Sequence, residues 1–453
     1  MLRAFVNVFR IHDLRRKVII TLLLLAACRI GAHVPTPGVN SAALEEITRE
    51  QAGSMGETLL GLINMFSGGA FRRATIMALG IMPYISASII IQLLTAVVPS
   101  LERLAKEEGE EGRRKITQYT RYSTVFLCLF QGFFMAQYIE GMNAIAITMP
   151  VVPEGGFWFR LLTGITMTVG TMFLMWIGEQ ISERGIGNGI SLIITVGIIS
   201  RLPVAISDTW RNLSLIDPKS RTLPPYLLIV LAALLVLVVM AVVIVTRGQR
   251  RIPVQQAKRI VGRRIYSGQS SYFPLRVNYA GVIPIIFASS LLMFPGTLAQ
   301  FFPAVGFLRA FRDWLSPSSW LYMVLYSLLI VFFCYFWTAT QFDPIKISND
   351  MKKNGTFIPG KRPGKPTAEF LDRTMNRLVL SGAIFLAAVA VFPQLLSGTF
   401  KPGVTYSMSQ YFGGTGLLII VGVMLDTMGA VESHLLMRHY DGFMKKGRLR
   451  GRY

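Results

Sequence analysis

The strongest constraint in this sequence is a succession of apolar stretches, most of them long enough to cross a lipid bilayer. A membrane-spanning helix needs about 20 mostly apolar residues. Ten stretches are candidates: 18–34, 74–98, 117–138, 158–179, 188–203, 224–246, 279–298, 319–341, 375–395 and 411–431. The fifth is the shortest and the weakest by hydropathy. Hydrocarbon offers no partners to backbone polar groups, so each stretch is expected to be helical. The expected fold is an all-α integral membrane protein with ten transmembrane helices. Charged residues are 15% of the chain, against roughly 25% in a soluble domain. That excludes an ordinary soluble enzyme, and the apolar content excludes disorder.

The connections carry the topology. Basic residues gather before the first stretch (Arg3, Arg10, Arg15, Arg16, Lys17) and after the second (Arg103, Lys106, Arg113, Arg114, Lys115). They gather again in 247–278, in 342–374 (Lys346, Lys352, Lys353, Lys361, Arg362, Lys365, Arg373) and in the tail 433–453. With ten spans all of these segments share one side, which the positive-inside rule makes cytoplasmic, with both termini in. Segment 139–157, on the other side, has no Lys or Arg. The run Arg247-Gly248-Gln249-Arg250-Arg251 has two readings: a topology signal facing anionic lipids, or a dock for RNA or an acidic protein, since guanidinium forks suit phosphate.

Little catalytic or transport chemistry is visible. Ionisable groups inside spans usually mark ion or proton pathways. Here the spans are nearly free of them, with Arg29, Glu179 and Asp426 in or near the ends of spans and no mid-membrane acid matched to a base, which disfavours a secondary transporter of a small solute or lipid. A membrane-embedded enzyme would need a paired nucleophile, acid or metal site, and none is found. His434 and His439 are five residues apart and fall on different helix faces, so no metal pair is expected. Cys28, Cys128 and Cys334 sit in apolar stretches and read as buried hydrophobes. Gly185-Ile186-Gly187-Asn188-Gly189 fits no dinucleotide fingerprint and reads as a tight connection between two spans. Neither catalytic residues nor cofactors are expected.

Two local features are ambiguous from pattern alone. Leu25-Ala26-Ala27-Cys28 follows a basic start and looks like a lipoprotein or secretory signal; the plainer expectation is a first transmembrane helix. Residues 56–73 are moderately apolar, glycine-rich and too short to span. They fit either a re-entrant helix or a surface amphipathic helix.

Several long strings resemble the SecY/Sec61-alpha family, in its bacterial form. They are Gly80-Ile81-Met82-Pro83-Tyr84-Ile85-Ser86-Ala87-Ser88, Gly185-Ile186-Gly187-Asn188-Gly189-Ile190-Ser191, and Arg247-Gly248-Gln249-Arg250-Arg251-Ile252-Pro253. Leu275-Arg276-Val277-Asn278-Tyr279-Ala280-Gly281 and Phe357-Ile358-Pro359-Gly360-Lys361-Arg362-Pro363-Gly364 add to them. They follow the family order along the whole chain.

The resemblance implies a protein-conducting channel built of two pseudo-symmetric inverted halves of five spans, 18–203 and 224–432, hinged at 204–223. A cytoplasmic segment 1–17 precedes them. It implies a pore ring of Ile81, Ile85, Ile190, Ile194, Ile286 and Ile419. A re-entrant plug near 58–69 would carry Leu60, Ile63, Asn64, Met65, Phe66, Ser67, Gly68 and Gly69. A lateral gate between the second and seventh spans would carry Ser88, Gln92, Ser289 and Ser290. Arg250, Arg251 and Arg362 would dock the ribosome or the SecA ATPase. Lys361 departs from the apolar residue usual in the family, so partner contacts there are expected to differ. Implied partners are SecE, SecG, SecA, the translating ribosome with its rRNA phosphates, SecD/SecF, YidC, signal peptides, nascent chains and anionic lipids. The implied location is the bacterial inner membrane.

Overall fold

A computed structural model describes residues 11–50, 59–106, 109–144, 149–211, 225–256, 259–261, 264–266, 270–301, 306, 314–316, 319–399, 411 and 414–446. Residues 1–10, 58, 212–223 of the expected hinge and 447–453 of the tail lie outside the described residues.

The first group of elements is α1 (His12–Gly31), α2 (Ser41–Glu50), α3 (Leu59–Phe66), α4 (Met82–Val97), α5 (Pro99–Lys106), α6 (Gly109–Gly141), α7 (Phe157–Arg184) and α8 (Gly189–Arg211). The second is α9 (Pro225–Arg247), β1 (Gln249–Gln256), β2 (Arg259–Val261), β3 (Arg264–Tyr266), β4 (Ser270–Arg276), α10 (Ile283–Phe301), α11 (Trp320–Gln341), α12 (Pro344–Lys353), β5 (Thr356–Phe357), α13 (Lys365–Thr399) and α14 (Thr415–Lys446).

Every expected span falls on a helix, but not all meet the demands of an independent span. Among the described residues seven helices are long and apolar enough to cross a membrane, or eight if the bent pair α4–α5 is one span. Charge holds α1 back, through Arg15, Arg16, Lys17 and Arg29. Length holds α10 back, where the apolar helix is Ile283–Thr297. The second stretch also begins later than its hydropathy suggests: residues 74–81 are turns, with positive φ at Ala74 and Gly80, and α4 starts at Met82 with Pro83 in its first turn. At Val98 the chain bends by 104° into α5. Helix α1 runs unbroken through the buried Cys28, as a membrane helix would.

The α6–α7 hairpin shows how the bilayer sets the scale. Arg121 Nη2 lies 2.7 Å from Glu179 Oε2 near one end, and Arg160 Nε lies 2.7 Å from Glu140 Oε2 near the other. On each helix the paired residues are nineteen apart (121 to 140, 160 to 179). At 1.5 Å per residue that is about 28 Å, close to the thickness of the hydrocarbon core. The two ion pairs thus bracket a mostly apolar stretch of each helix long enough to cross that core.

The connection between α7 and α8 is a tight turn. Asn188 Oδ1 accepts from the Ile190 and Ser191 amides at 3.1 and 3.3 Å, capping α8. A Cβ at Gly189 would run into the carbonyl of Gly178. Gly189 there permits close packing of the two helices.

The all-α expectation needs one addition. The basic loops after α9 and α11 contain strands, and β4, β1 and β5 form one three-stranded antiparallel sheet. β1 pairs with β4 from Gln249↔Arg276 to Gln255↔Ser270, and with β5 at Gln255↔Phe357 and Gln256↔Thr356. The local reason is a period of two. Ile252 and Val254 are buried, whereas Arg251, Pro253 and Gln255 are exposed. One apolar edge thus packs the ribbon onto the bundle, and the two basic loops become one rigid platform.

Candidate functional site

The first and second groups of helices meet along two main seams. On one, α4 and α6 pack against α10; on the other, α8 packs against α14. The short helix α3 lies between the seams, touching α8 of the first group and α10 of the second. Its side chains Leu62, Ile63, Met65 and Phe66 are buried. They belong to one contiguous apolar cluster that also contains Ile81, Ile85, Ile194, Ile286 and Ile419, with Ile190 half-buried against it. Five of the six expected ring residues are thus closed off from solvent, drawn from α4 and its N-terminal boundary, α8, α10 and α14.

Polar groups hold the segment after α3. Arg29 Nη2 in α1 donates to the Gly68 carbonyl at 3.2 Å, and Ser200 Oγ in α8 approaches the same oxygen at 3.5 Å. Ser67 Oγ accepts from the Phe71 amide at 3.2 Å, and Asn64 Oδ1 accepts from the Arg72 amide at 3.1 Å. The Phe66 carbonyl lies 2.6 Å from where a Cβ at Gly197 would stand. A cavity of about 30 Å³ remains among Cys28, Arg29, Phe66, Ser67, Ile81 and Gly197, room for roughly one water. The segment is therefore closely seated against α1 and α8.

The seam between α4 and α10 differs in detail from the sequence expectation. Ser289 and Ser290 are buried on α10, and Ser290 Oγ reaches across to Met82 Sδ at 3.9 Å. On α4, Gln92 Nε2 donates to Ser88 Oγ at 3.1 Å, so these two residues pair along their own helix. Ser86 instead lines a cavity of about 40 Å³ together with Ile63, Met82, Gln131, Ser290 and Thr297. At 100° per residue Ser88 stands about 200° round the helix from Ser86, which explains why both cannot face α10. Ser86 and Gln131 were not singled out from sequence; the signal available was a small polar residue one turn from Met82 in an otherwise apolar helix.

Arg250 and Arg251 are exposed on β1, and Arg362 is exposed in the turn after β5. The sheet brings both loops to one platform. Lys361 Nζ lies 5.4 Å above the Phe370 ring centre, a cation–π contact that turns this side chain back onto α13. Of the ionisable groups noted in the spans, Glu179 pairs with Arg121 and Arg29 with the Gly68 carbonyl, while Asp426 lies beside Gly281. Among the described residues no group of three His, Cys, Asp or Glu could hold a metal.

The fold defines a multi-pass helical membrane bundle in which the short apolar helix α3 lies against α8 and α10. The comparisons narrow this. The SecY family model matches residues 75–428. The protein translocase subunit SecY of Chlamydia muridarum is 47% identical over 454 residues, 98% of this chain and 99% of that one. That of Escherichia coli K12 is 44% identical over 442 residues, 97% and 96% of the two chains. The chain belongs to the SecY family. A solved structure described as that of a protein-conducting channel superposes with TM-score 0.63 at 18% identity, covering 92% of each chain. Sec61 from a canine ribosome–channel complex superposes with TM-score 0.61 at 19% identity, again over 92% of each.

Proposed function

We propose that this protein is the pore-forming subunit of a protein translocase, passing unfolded polypeptide across a membrane and releasing apolar segments sideways into lipid. The observation that carries this reading is α3, seated among buried isoleucines between the two groups of helices. A collar of aliphatic side chains dewets and blocks ions, yet deforms around any passing sequence because it offers no specific contact. The reading requires no covalent chemistry of this chain, and the energy comes from a partner.

On this reading the bundle has ten spans, with α1, α4 and α10 completing the set inside the assembled protein. Residues 18–203 and 224–432 form two inverted halves hinged at 204–223. Residues 58–69 are the plug, and the α4/α10 seam is the lateral gate. Ser290 Oγ reaching Met82 Sδ, beside the small cavity lined by Ser86 and Gln131, leaves that gate weakly tied, so an inserting signal peptide can shift the population toward the open state. The basic loops and both termini face the cytoplasm of a bacterium, and the membrane is its inner membrane. SecE and SecG complete the complex, while SecA or a translating ribosome docks on Arg250, Arg251 and Arg362. Accessory SecD/SecF, YidC and anionic lipids act around this core. The family membership and the joined β4-β1-β5 platform support these assignments.

The test is crosslinking of a stalled secretory chain in proteoliposomes. A photoreactive residue replaces Ile85, and a control replaces the lipid-facing Phe126, which is 70% exposed. Adducts to the chain at 85 and not at 126 are expected; none at 85, with protein folded and partners present, would overturn the channel reading. Independently, Arg251→Glu is expected to weaken ribosome or SecA binding about tenfold or more while leaving the thermal melt unchanged. Its side chain is exposed, so the charge can be reversed without burying it. Wild-type binding of both partners would remove the docking assignment.

A further inference from the structure

Beside the α8–α14 seam, α1 and α14 close on the turn that joins α7 to α8. Thr21 Oγ of α1 accepts from the Ile186 amide of that turn at 3.2 Å and donates to the Lys17 carbonyl at 2.9 Å. A Cβ at Gly187 would stand 3.3 Å from Thr427 Oγ of α14. Leu14 of α1 and Ile186 are buried together, with Val431 and Leu435 of α14 packed against them. This small apolar cluster, distinct from the main one, joins the first group of helices to the second. A cavity of about 400 Å³ opens beside it, within the range of about 300–1,000 Å³ usual for small-molecule sites. Its cationic lining comes from both groups: Arg16 and Lys17 of α1, Arg184 in the last turn of α7, and His434 of α14. Asp13 is the one acid among the described lining residues, and Leu14 and Ile20 give an apolar wall. Among the described residues no carboxylate pairs with Arg16, Lys17 or Arg184.

We propose that this cavity is a phosphate site, filled by the headgroup of an anionic phospholipid that ties α1 and α7 to α14. Guanidinium and ammonium groups suit phosphate oxygens, and three permanent cations outnumber the single acid. A topology signal asks for basic charge on one side of the membrane; it does not ask for a cavity that gathers such charge from separate helices. The wall argues for a lipid over a soluble ion. Past Ile20 the exposed Ile19, Leu22 and Leu23 continue along α1, so acyl chains have an apolar surface to follow. Lys17 is half-buried where that surface begins, the level at which a lysine reaches the headgroups while its stem stays in apolar surroundings. A ligand that touches α1, α7 and α14 together binds only while those helices keep their spacing. It therefore favours that arrangement over one in which the two groups part.

The experiment uses the full chain in a neutral detergent. The probe is dihexanoyl phosphatidylglycerol, with dihexanoyl phosphatidylcholine and pyrophosphate as comparisons. Phosphatidylglycerol is expected to raise the thermal melt saturably, and phosphatidylcholine to leave it unchanged. Arg184→Gln and Lys17→Gln should each weaken phosphatidylglycerol binding about fivefold, the share of one basic residue at an anionic headgroup. Ile20→Trp keeps every charge but fills the cavity, and should weaken binding about tenfold or more. Arg114→Gln, exposed on α6 and outside the cavity, should bind as the wild type does. Amide exchange in the α7–α8 turn and at Val431 should slow when the probe binds. Protection by pyrophosphate as well would assign the phosphate group as what is read; protection by phosphatidylglycerol alone would assign the whole lipid. Equal effects of the two lipids, protection by pyrophosphate alone, or wild-type affinity in either Arg184→Gln or Ile20→Trp would overturn the lipid site. The site needs the membrane bundle and not a conducting pore, so its failure leaves the crosslink at position 85 standing, and failure of that crosslink does not touch it.

Discussion

Ile85→Asn is expected to raise the ion conductance of the resting protein in a planar bilayer by about a hundredfold. Ile85 is buried within the cluster that joins α3 to the proposed ring. In the closed arrangement the asparagine loses about 2 kcal/mol of apolar burial and leaves an amide without partners, which costs about 1–3 kcal/mol. In an open, hydrated pore the same amide meets water, so the substitution penalises the closed state selectively. A bias of about 3 kcal/mol is roughly two decades in the ratio of states at 1.4 kcal/mol per decade. Ile419→Asn, on α14 and fully buried, should act alike. Ile85→Val removes one methylene, costs about 0.5–1.5 kcal/mol and should change the leak by about tenfold at most. Phe126→Asn, on the lipid-facing side, should leave it unchanged. Wild-type conductance in both Ile85→Asn and Ile419→Asn would remove these residues from the seal.

How far such a site can be read from sequence depends on what sets each part. The apolar stretches and basic loops were legible because the bilayer imposes their length and sign; the Arg121–Glu179 and Arg160–Glu140 pairs show the same ruler in the fold. The turns at 74–81 were not, since hydropathy carries no signal for the positive φ of Ala74 and Gly80. Nor was the sheet that ties Gln255 to Phe357, because strand pairing across a hundred residues leaves only a local period of two in Ile252 and Val254. The isoleucines entered through family resemblance alone, for one isoleucine in a span looks like any other. Ser86 and Gln131 went unseen for the same reason that Ser88 and Gln92 were chosen: helix phase relative to α10 is a tertiary fact.

Gly197→Ala is expected to open the resting channel although it should favour the helix that carries it. Within α8 an alanine is better by about 0.8–1.0 kcal/mol than glycine in helix propensity. At this position its methyl would stand 2.6 Å from the Phe66 carbonyl oxygen and 3.5 Å from the Gly68 nitrogen. Both are backbone atoms and cannot swing aside, so the segment carrying Phe66 must retreat from α8. Arg29 and Ser200, which face the Gly68 carbonyl, lose their geometry as it does. Overpacking of this kind costs about 1–3 kcal/mol, enough to raise the open fraction about 5- to 150-fold, and Gly197→Leu should saturate the effect. Two readouts separate a displaced α3 from a damaged fold. The resting leak should rise in the order glycine, alanine, leucine. The Cys28 thiol, which lines the same small cavity as Gly197 and is otherwise buried, should become reactive toward a membrane-impermeant maleimide, while Cys128 and Cys334 stay protected. Gly141→Ala, where a Cβ meets nothing within 4 Å, serves as the control and should change neither. If Gly197→Leu leaves both the leak and the Cys28 reactivity at wild-type values, α3 does not form the seal, and the barrier to ions must lie in the isoleucine cluster alone.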